Sequence, residues 1–168
     1  MKKPVGLKDS AYYTKYINLA EGTDLIEGLN LSFDTIVSVL STIDEEKSKH
    51  KYGDDKWTIK QVVQHIIDVE RLFVTRALSI ARDKNTAIIG FDENLYASND
   101  YSYTLKFEDI VTDFKLVRQS TISFFKTLNV NNIDNQVVDN IILSPRIIGW
   151  LISGHSMHHL NVIRERYL

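Results

Sequence analysis

The chain has 168 residues, 43% hydrophobic and 25% charged, with a formal net charge of −2. This is a globular balance sized for one core, and no basic run marks a nucleic-acid or anionic-membrane partner. Cysteine is absent, which excludes disulfides, thiolate metal sites and a cysteine nucleophile together and leaves His, Asp and Glu as the side chains able to hold a metal.

The start of the chain has two lysines but no apolar stretch behind them, so it does not read as a secretory leader. The longest nearly uncharged stretch, 147–163, carries three histidines and two serines and is too polar to span a bilayer. The expectation is one cytoplasmic domain over 1–168, with 1–23 as an N-terminal arm. Within that arm 8–18 contains Tyr12, Tyr13 and Tyr16 and is expected to pack irregularly on the rest.

Only two prolines occur, and apolar residues recur at three- and four-residue spacing, the helical period. A first helix is predicted over 24–46, with Leu25, Leu29, Phe33, Ile36, Leu40 and Ile43 inward, followed by a charged loop over 47–56. The second helix begins after Thr58, whose hydroxyl and Gln61 form a capping box. Its apolar stripe is Val62, Ile66, Val69, Phe73, Ala77 and Ile80, and it ends near Arg82. An irregular connection over 83–100 leads to a third helix over 106–128, with Ile110, Phe114, Val117, Ile122 and Phe125 inward. A polar connection over 129–140 follows, with a short extended piece over 137–143. Ser144 as N-cap and Pro145 at the first helical position open the last helix. The fold class is therefore all-α, an up-down-up-down-type four-helix bundle with long connections.

His155 and His159 are four residues apart, one above the other on one helical face. That face also carries Ile148, Leu151 or Ile152, Val162 and Ile163, so it points inward. His65 lies between Val62 and Ile66 on the stripe of the second helix. Three imidazoles thus converge on an apolar interior from two helices. Two readings fit this spacing: a divalent-metal site on neutral imidazoles, or buried structural histidines with hydrogen-bond partners. His158 competes with His159 at the i,i+3 spacing, but His159 sits more squarely on the stripe. His50 falls in the charged loop and is expected at the surface.

The run Trp57-Thr58-Ile59-Lys60-Gln61-Val62-Val63-Gln64-His65-Ile66-Ile67-Asp68-Val69-Glu70-Arg71 resembles the second helix of the DinB/YfiT-like superfamily of metal-binding bundles. Gly154-His155-Ser156-Met157-His158-His159, followed by Ile163-Arg164, resembles that family's last-helix signature, and Gly90-Phe91-Asp92-Glu93 resembles a loop of one subgroup. The resemblance covers 56–168. It implies a divalent ion, nickel or zinc, on His65, His155 and His159. It also implies a small-molecule substrate, since some relatives are S-transferases using a low-molecular-weight thiol and others resemble hydrolases.

Three neutral histidines leave a divalent ion its charge and open positions, the arrangement of a catalytic site rather than a structural one. Asp68, Glu70 and Asp92 are the candidate general bases, and Tyr96 is a candidate donor to a developing oxyanion. Each has a plainer alternative: Asp68 as an acceptor for a ligand imidazole or a salt-bridged carboxylate, Asp92 as a turn-former, Glu70 and Arg71 as a solvated face. Arg76 and Arg164 are candidate anchors for an anionic substrate group, with ion pairing to carboxylates as their alternative. Exposed apolar helix faces make a homodimer an open expectation, as is a non-catalytic metal-stabilised module.

Overall fold

Residues 1–4, 11–138 and 142–168 are described in a computed structural model. Its helices are α1 (Ala11–Leu19), α2 (Leu25–Leu40), α3 (Glu45–Ser48), α4 (Ile59–Arg82), α5 (Glu93–Ser98), α6 (Phe107–Thr127) and α7 (Pro145–Arg166). The long helices α2, α4, α6 and α7 make a four-helix bundle, with α1 laid along α7. The expected extended piece is a minimal hairpin in which β1 (Val137–Val138) pairs antiparallel with β2 (Ile142–Leu143). Residues 5–10 of the expected arm and 139–141 of the extended piece lie outside the described residues.

The predicted caps form. Thr58 Oγ1 accepts from Gln61 N at 3.1 Å while Gln61 Oε1 accepts from Thr58 N at 3.0 Å. Ser144 Oγ accepts from Ile147 N at 3.2 Å. The apolar stripes on α4 and α7 are buried, Leu151 and Ile152 both included, except for Val162, which is half-buried.

Three expectations need correction. The segment expected to be irregular contains the helix α1. The first long helix stops at Leu40 rather than continuing to 46. Ser41 and Thr42 turn their hydroxyls back onto Ser38 O and Val39 O, each at 2.8 Å, competing with helical continuation. Asp44 then caps a new start by accepting from Lys47 N. The connection 83–100 is not wholly irregular, because Asp92 caps the short helix α5.

The direction of the helices also departs from simple alternation. The start of α4 meets the start of α6, where Lys60 donates to Leu105 O, and farther along both chains Glu70 meets Arg118. These two helices therefore run the same way. Ser153 of α7 donates to Gly28 O of α2, and a Cβ on Gly149 would strike Leu25, so α2 and α7 are parallel too. The α4–α7 pair is antiparallel, with Trp57 O against Tyr167 at one end and His65 against His155 farther in. Parallel neighbours need a crossover as long as the helix itself. For the 24 residues of α4 that is about 36 Å at 1.5 Å per residue. The connection 83–106 makes this return.

The hydrophobic core falls into two clusters, one around Leu25, Trp150 and Phe125 and one around Ile36, Ile66 and Phe114. One polar group spans the bundle. Arg118 on α6 is 0% exposed and pairs with Glu70 of α4, which is 2% exposed. Its Nε reaches Glu70 Oε1 at 2.9 Å and its Nη2 reaches Oε2 at 2.8 Å. Its Nη1 donates to Leu29 O and Ser32 Oγ of α2, and Nη2 also donates to Ser156 Oγ of α7. One guanidinium thus ties all four long helices.

Replacing Arg118 with Met strands a buried carboxylate and is expected to destabilise the fold by about 3–5 kcal/mol in chemical denaturation. The double variant Arg118→Met/Glu70→Leu removes both charges and should recover most of that loss. A loss in the double variant as large as in the single one would show that the pair is not what holds this layer.

Candidate metal centre

His65 comes from the second turn of α4, after the Thr58 cap, and His155 and His159 come from the middle of α7. Their ring nitrogens meet. His65 Nε2 lies 3.2 Å from His155 Nε2, and His159 Nε2 lies 3.1 Å from the same atom. All three nitrogens fall within 4.8 Å of one another, and among the described residues this metal-capable group contains the three histidines alone. Ligand nitrogens on one tetrahedral ion stand roughly 3.3 Å apart, given bonds of about 2.0–2.1 Å.

The donor set fits a cation. His155 Nε2 sits between two other nitrogens but carries either one proton or one lone pair, so it can complete only one linear N–H···N bond. An ion satisfies all three lone pairs at once. Those lone pairs are available, because the rings are held neutral. Burial first, then the charge of His158, pushes His65 down to about 4. Burial, with His65 and His158 adding, pushes His159 down to about 3. His155 is pushed well below its ordinary 6.5 by burial and then by the three neighbouring histidines.

Aromatic rings close the site. Trp57 stands 5.0 Å from the His65 ring, and Tyr16 and Phe73 stand 5.6 and 6.2 Å from the His155 ring. Tyr16 reaches this position because of Gly154. A Cβ there would lie 1.8 Å from Tyr16 O, so the missing side chain lets the backbone of α1 lie against α7. Beside the histidines is a cavity of about 90 Å³, lined by Tyr13, Tyr16, Val69, Phe73, Leu151, Arg76 and, from the crossover, Phe91 and Glu93.

The other candidates are placed as follows. Asp68 lines a narrow gap on the other side of His65 with Tyr96 and Asp100. Its Oδ1 accepts from Gln64 Nε2 at 3.0 Å, and burial raises its carboxyl above the usual range. It does not join the ring nitrogens. Tyr96 faces the same gap, its ring 5.3 Å from Phe91. Asp92 caps α5, accepting from Asn94 N and Leu95 N, as a turn-former does. Both Glu70 oxygens are taken by Arg118, so Glu70 is buried structure rather than solvated face. His158 packs edge-on to Tyr16 at 5.2 Å and lies outside the trio. His50 and Arg164 are exposed. Sequence reasoning missed Tyr13, Tyr16, Glu93 and Asp100 as site neighbours. The only signal was that Glu93 belongs to the Gly90–Glu93 motif.

The sequence profile of the DinB superfamily matches residues 29–163. The chain belongs to the DinB superfamily. No curated protein sequence matches it. Among solved structures it is similar to YfiT from Bacillus subtilis, described as a probable metal-dependent hydrolase with an unusual four-helix bundle topology. The two share 19% identity at a TM-score of 0.69, covering 98% of this chain and 94% of that one, a likeness of fold. No helix among the described residues is long and apolar enough to cross a membrane.

Two outcomes follow for this DinB-superfamily site. The unfolded chain protonates its histidines near 6.5, whereas the folded rings stay neutral down to about 4 or about 3. The unfolded state therefore binds more protons in that window, and stability is lost as pH drops through it. Chelator-treated protein should melt at lower temperature at about pH 5 than at about pH 7, and replacing all three histidines with Gln should flatten this dependence. Gly154→Ala should displace α1, destabilise the fold by about 1–3 kcal/mol and speed amide exchange over Ala11–Leu19. Unchanged exchange there would contradict the close-approach account.

Proposed function

We propose that this protein is a divalent-metal-dependent hydrolase whose ion, zinc or nickel, is held by His65, His155 and His159. The observation that carries this reading is the convergence of three neutral Nε2 atoms, with two of the three histidines, His65 and His155, lining a small cavity. The description of YfiT as a probable metal-dependent hydrolase supports it. A divalent ion on three neutral ligands keeps its full charge and open coordination positions, and when bound it supplies Lewis-acid activation of water or of a substrate carbonyl.

The chain's own residues divide the remaining work. Val69, Phe73, Phe91 and Leu151 line the cavity with apolar surface and limit water, which strengthens electrostatic interactions inside it. Asp68 is the group suited to moving a proton, because burial raises its carboxyl above the usual range and it lines the gap beside His65. Tyr96, across the same gap, has a hydroxyl that can donate to a developing negative charge. Because the chain lacks cysteine, transfer to sulfur would need a low-molecular-weight thiol from outside.

Protein loaded with Zn²⁺ or Ni²⁺ is expected to hold a stoichiometric ion and to hydrolyse members of a panel of small esters and amides. His155→Ala should lose both the ion and the turnover, and Asp68→Asn should keep the ion and lose most of the turnover. Turnover only after addition of a small thiol would reassign the site to S-transfer. A bound ion with no turnover of any kind would make it a metal-stabilised binding module. No stoichiometric ion, with no thermal shift on adding metals, would leave the histidines structural.

A further inference from the structure

The cavity beside the histidines contains one cation. Arg76, two turns beyond Val69 on α4, lines it together with His65 and His155. Its guanidinium carbon stands 5.6 Å from the ring of Phe73 and 5.6 Å from that of Phe91. Nη2 donates to Ile89 O at 2.6 Å. Arg71 pairs with Asp113 and Arg118 with Glu70, as Arg146 at the start of α7 pairs with Asp134, while Arg82, Arg164 and Arg166, which form no such pair among the described residues, are exposed to water. Among the described residues Arg76 pairs with no carboxylate. Glu93 shares the cavity wall, yet it does not approach within ion-pair distance. Burial lowers the pKa of Arg76, the mark of a cation partly withdrawn from water without a counter-charge.

A guanidinium offers five N–H donors in a planar fork that matches a carboxylate in two parallel hydrogen bonds. Here one donor is used by Ile89 O, and two ring faces hold the plane in place. The His155 ring and the guanidinium both stand against Phe73, so a molecule in the cavity meets the histidines at one end and the cation at the other. The walls between are apolar. A cavity of about 90 Å³ is several times the roughly 10–15 Å³ that one water needs, so it takes a short chain rather than a large ring system.

We infer that Arg76 anchors the carboxylate of a small substrate whose other end lies at the three histidines. The protein would then act on short, singly anionic molecules and discriminate against their neutral counterparts. This rests on the metal-dependent reading of the site, and the test separates the two. Succinic monohydroxamate carries a metal-chelating head and a distal carboxylate; in the matching amide, –CONH₂ replaces –COO⁻. Calorimetric titration of the Zn²⁺-loaded protein with each reads the carboxylate alone.

The acid should bind about 10–100-fold more tightly than the amide, as expected for hydrogen bonds to a charged group. Arg76→Gln should abolish that preference without changing zinc stoichiometry or amide affinity. Arg76→Lys, which keeps the charge but not the fork, should retain part of the preference and serves if the Gln variant does not fold. Equal binding of acid and amide, or a preference that survives both substitutions, overturns the inference and leaves the metal site standing. If neither hydroxamate binds although zinc is present, the ion is not open to the cavity, and the inference falls with the reading on which it rests.

Discussion

A guanidinium withdrawn completely from water is tolerated only where its donors are met, and Arg118 meets that condition by drawing on three other helices. Burial of two charges is offset only when geometry is close to ideal, so the group dictates register. If α4 slid along α6 by a residue, Glu70 would leave the fork; if α7 slid, Ser156 would. The same register serves the histidines. His65 precedes Glu70 by little more than a turn, and His155 is the neighbour of Ser156. The axial setting that satisfies the buried ion pair therefore also brings Nε2 of one helix within 3.2 Å of Nε2 of the other.

The second constraint is direction. Because α4 and α6 run the same way, the chain must travel back along the bundle between them. That return passes the opening between α4 and α7, where Phe91, Glu93, Tyr96 and Asp100 cover the faces of His65 that the bundle leaves bare. On the opposite side α1 closes the wall at His155. The site is thus assembled in two layers: ligands from the bundle, and cover from the segments that the topology forces across it.

The sequence made the bundle layer readable because local chemistry encodes it. Capping residues sit three positions from their partners, helical stripes repeat at fixed spacing, and a histidine pair at i,i+4 declares a common face. What the sequence hid was non-local. Glu70 stands beside Arg71 in the chain, so it looked solvated, while its true partner lies on another helix. Apolar periodicity has no sense of direction, so it could not reveal that α4 and α6 are parallel. The packing of α1 depends on the absence of a Cβ at Gly154, and a glycine inside a helix announces no particular neighbour. Arg76 was visible as a candidate anchor, but its want of a carboxylate partner is a fact of three-dimensional placement.

The division between bundle and cover makes the site modular. The three imidazoles stand on helices whose positions are pinned from the core, and the buried ion pair takes no residue from the crossover. The crossover itself is required for its length, and few of its side chains reach the interior. Loop sequences that keep this span can therefore be exchanged without disturbing the histidines, changing what the cavity admits and which group stands in the place of Tyr96 while leaving the three imidazoles in place. A single scaffold of this kind can diversify by recombining one external segment, which decouples the evolution of selectivity from that of the reactive centre.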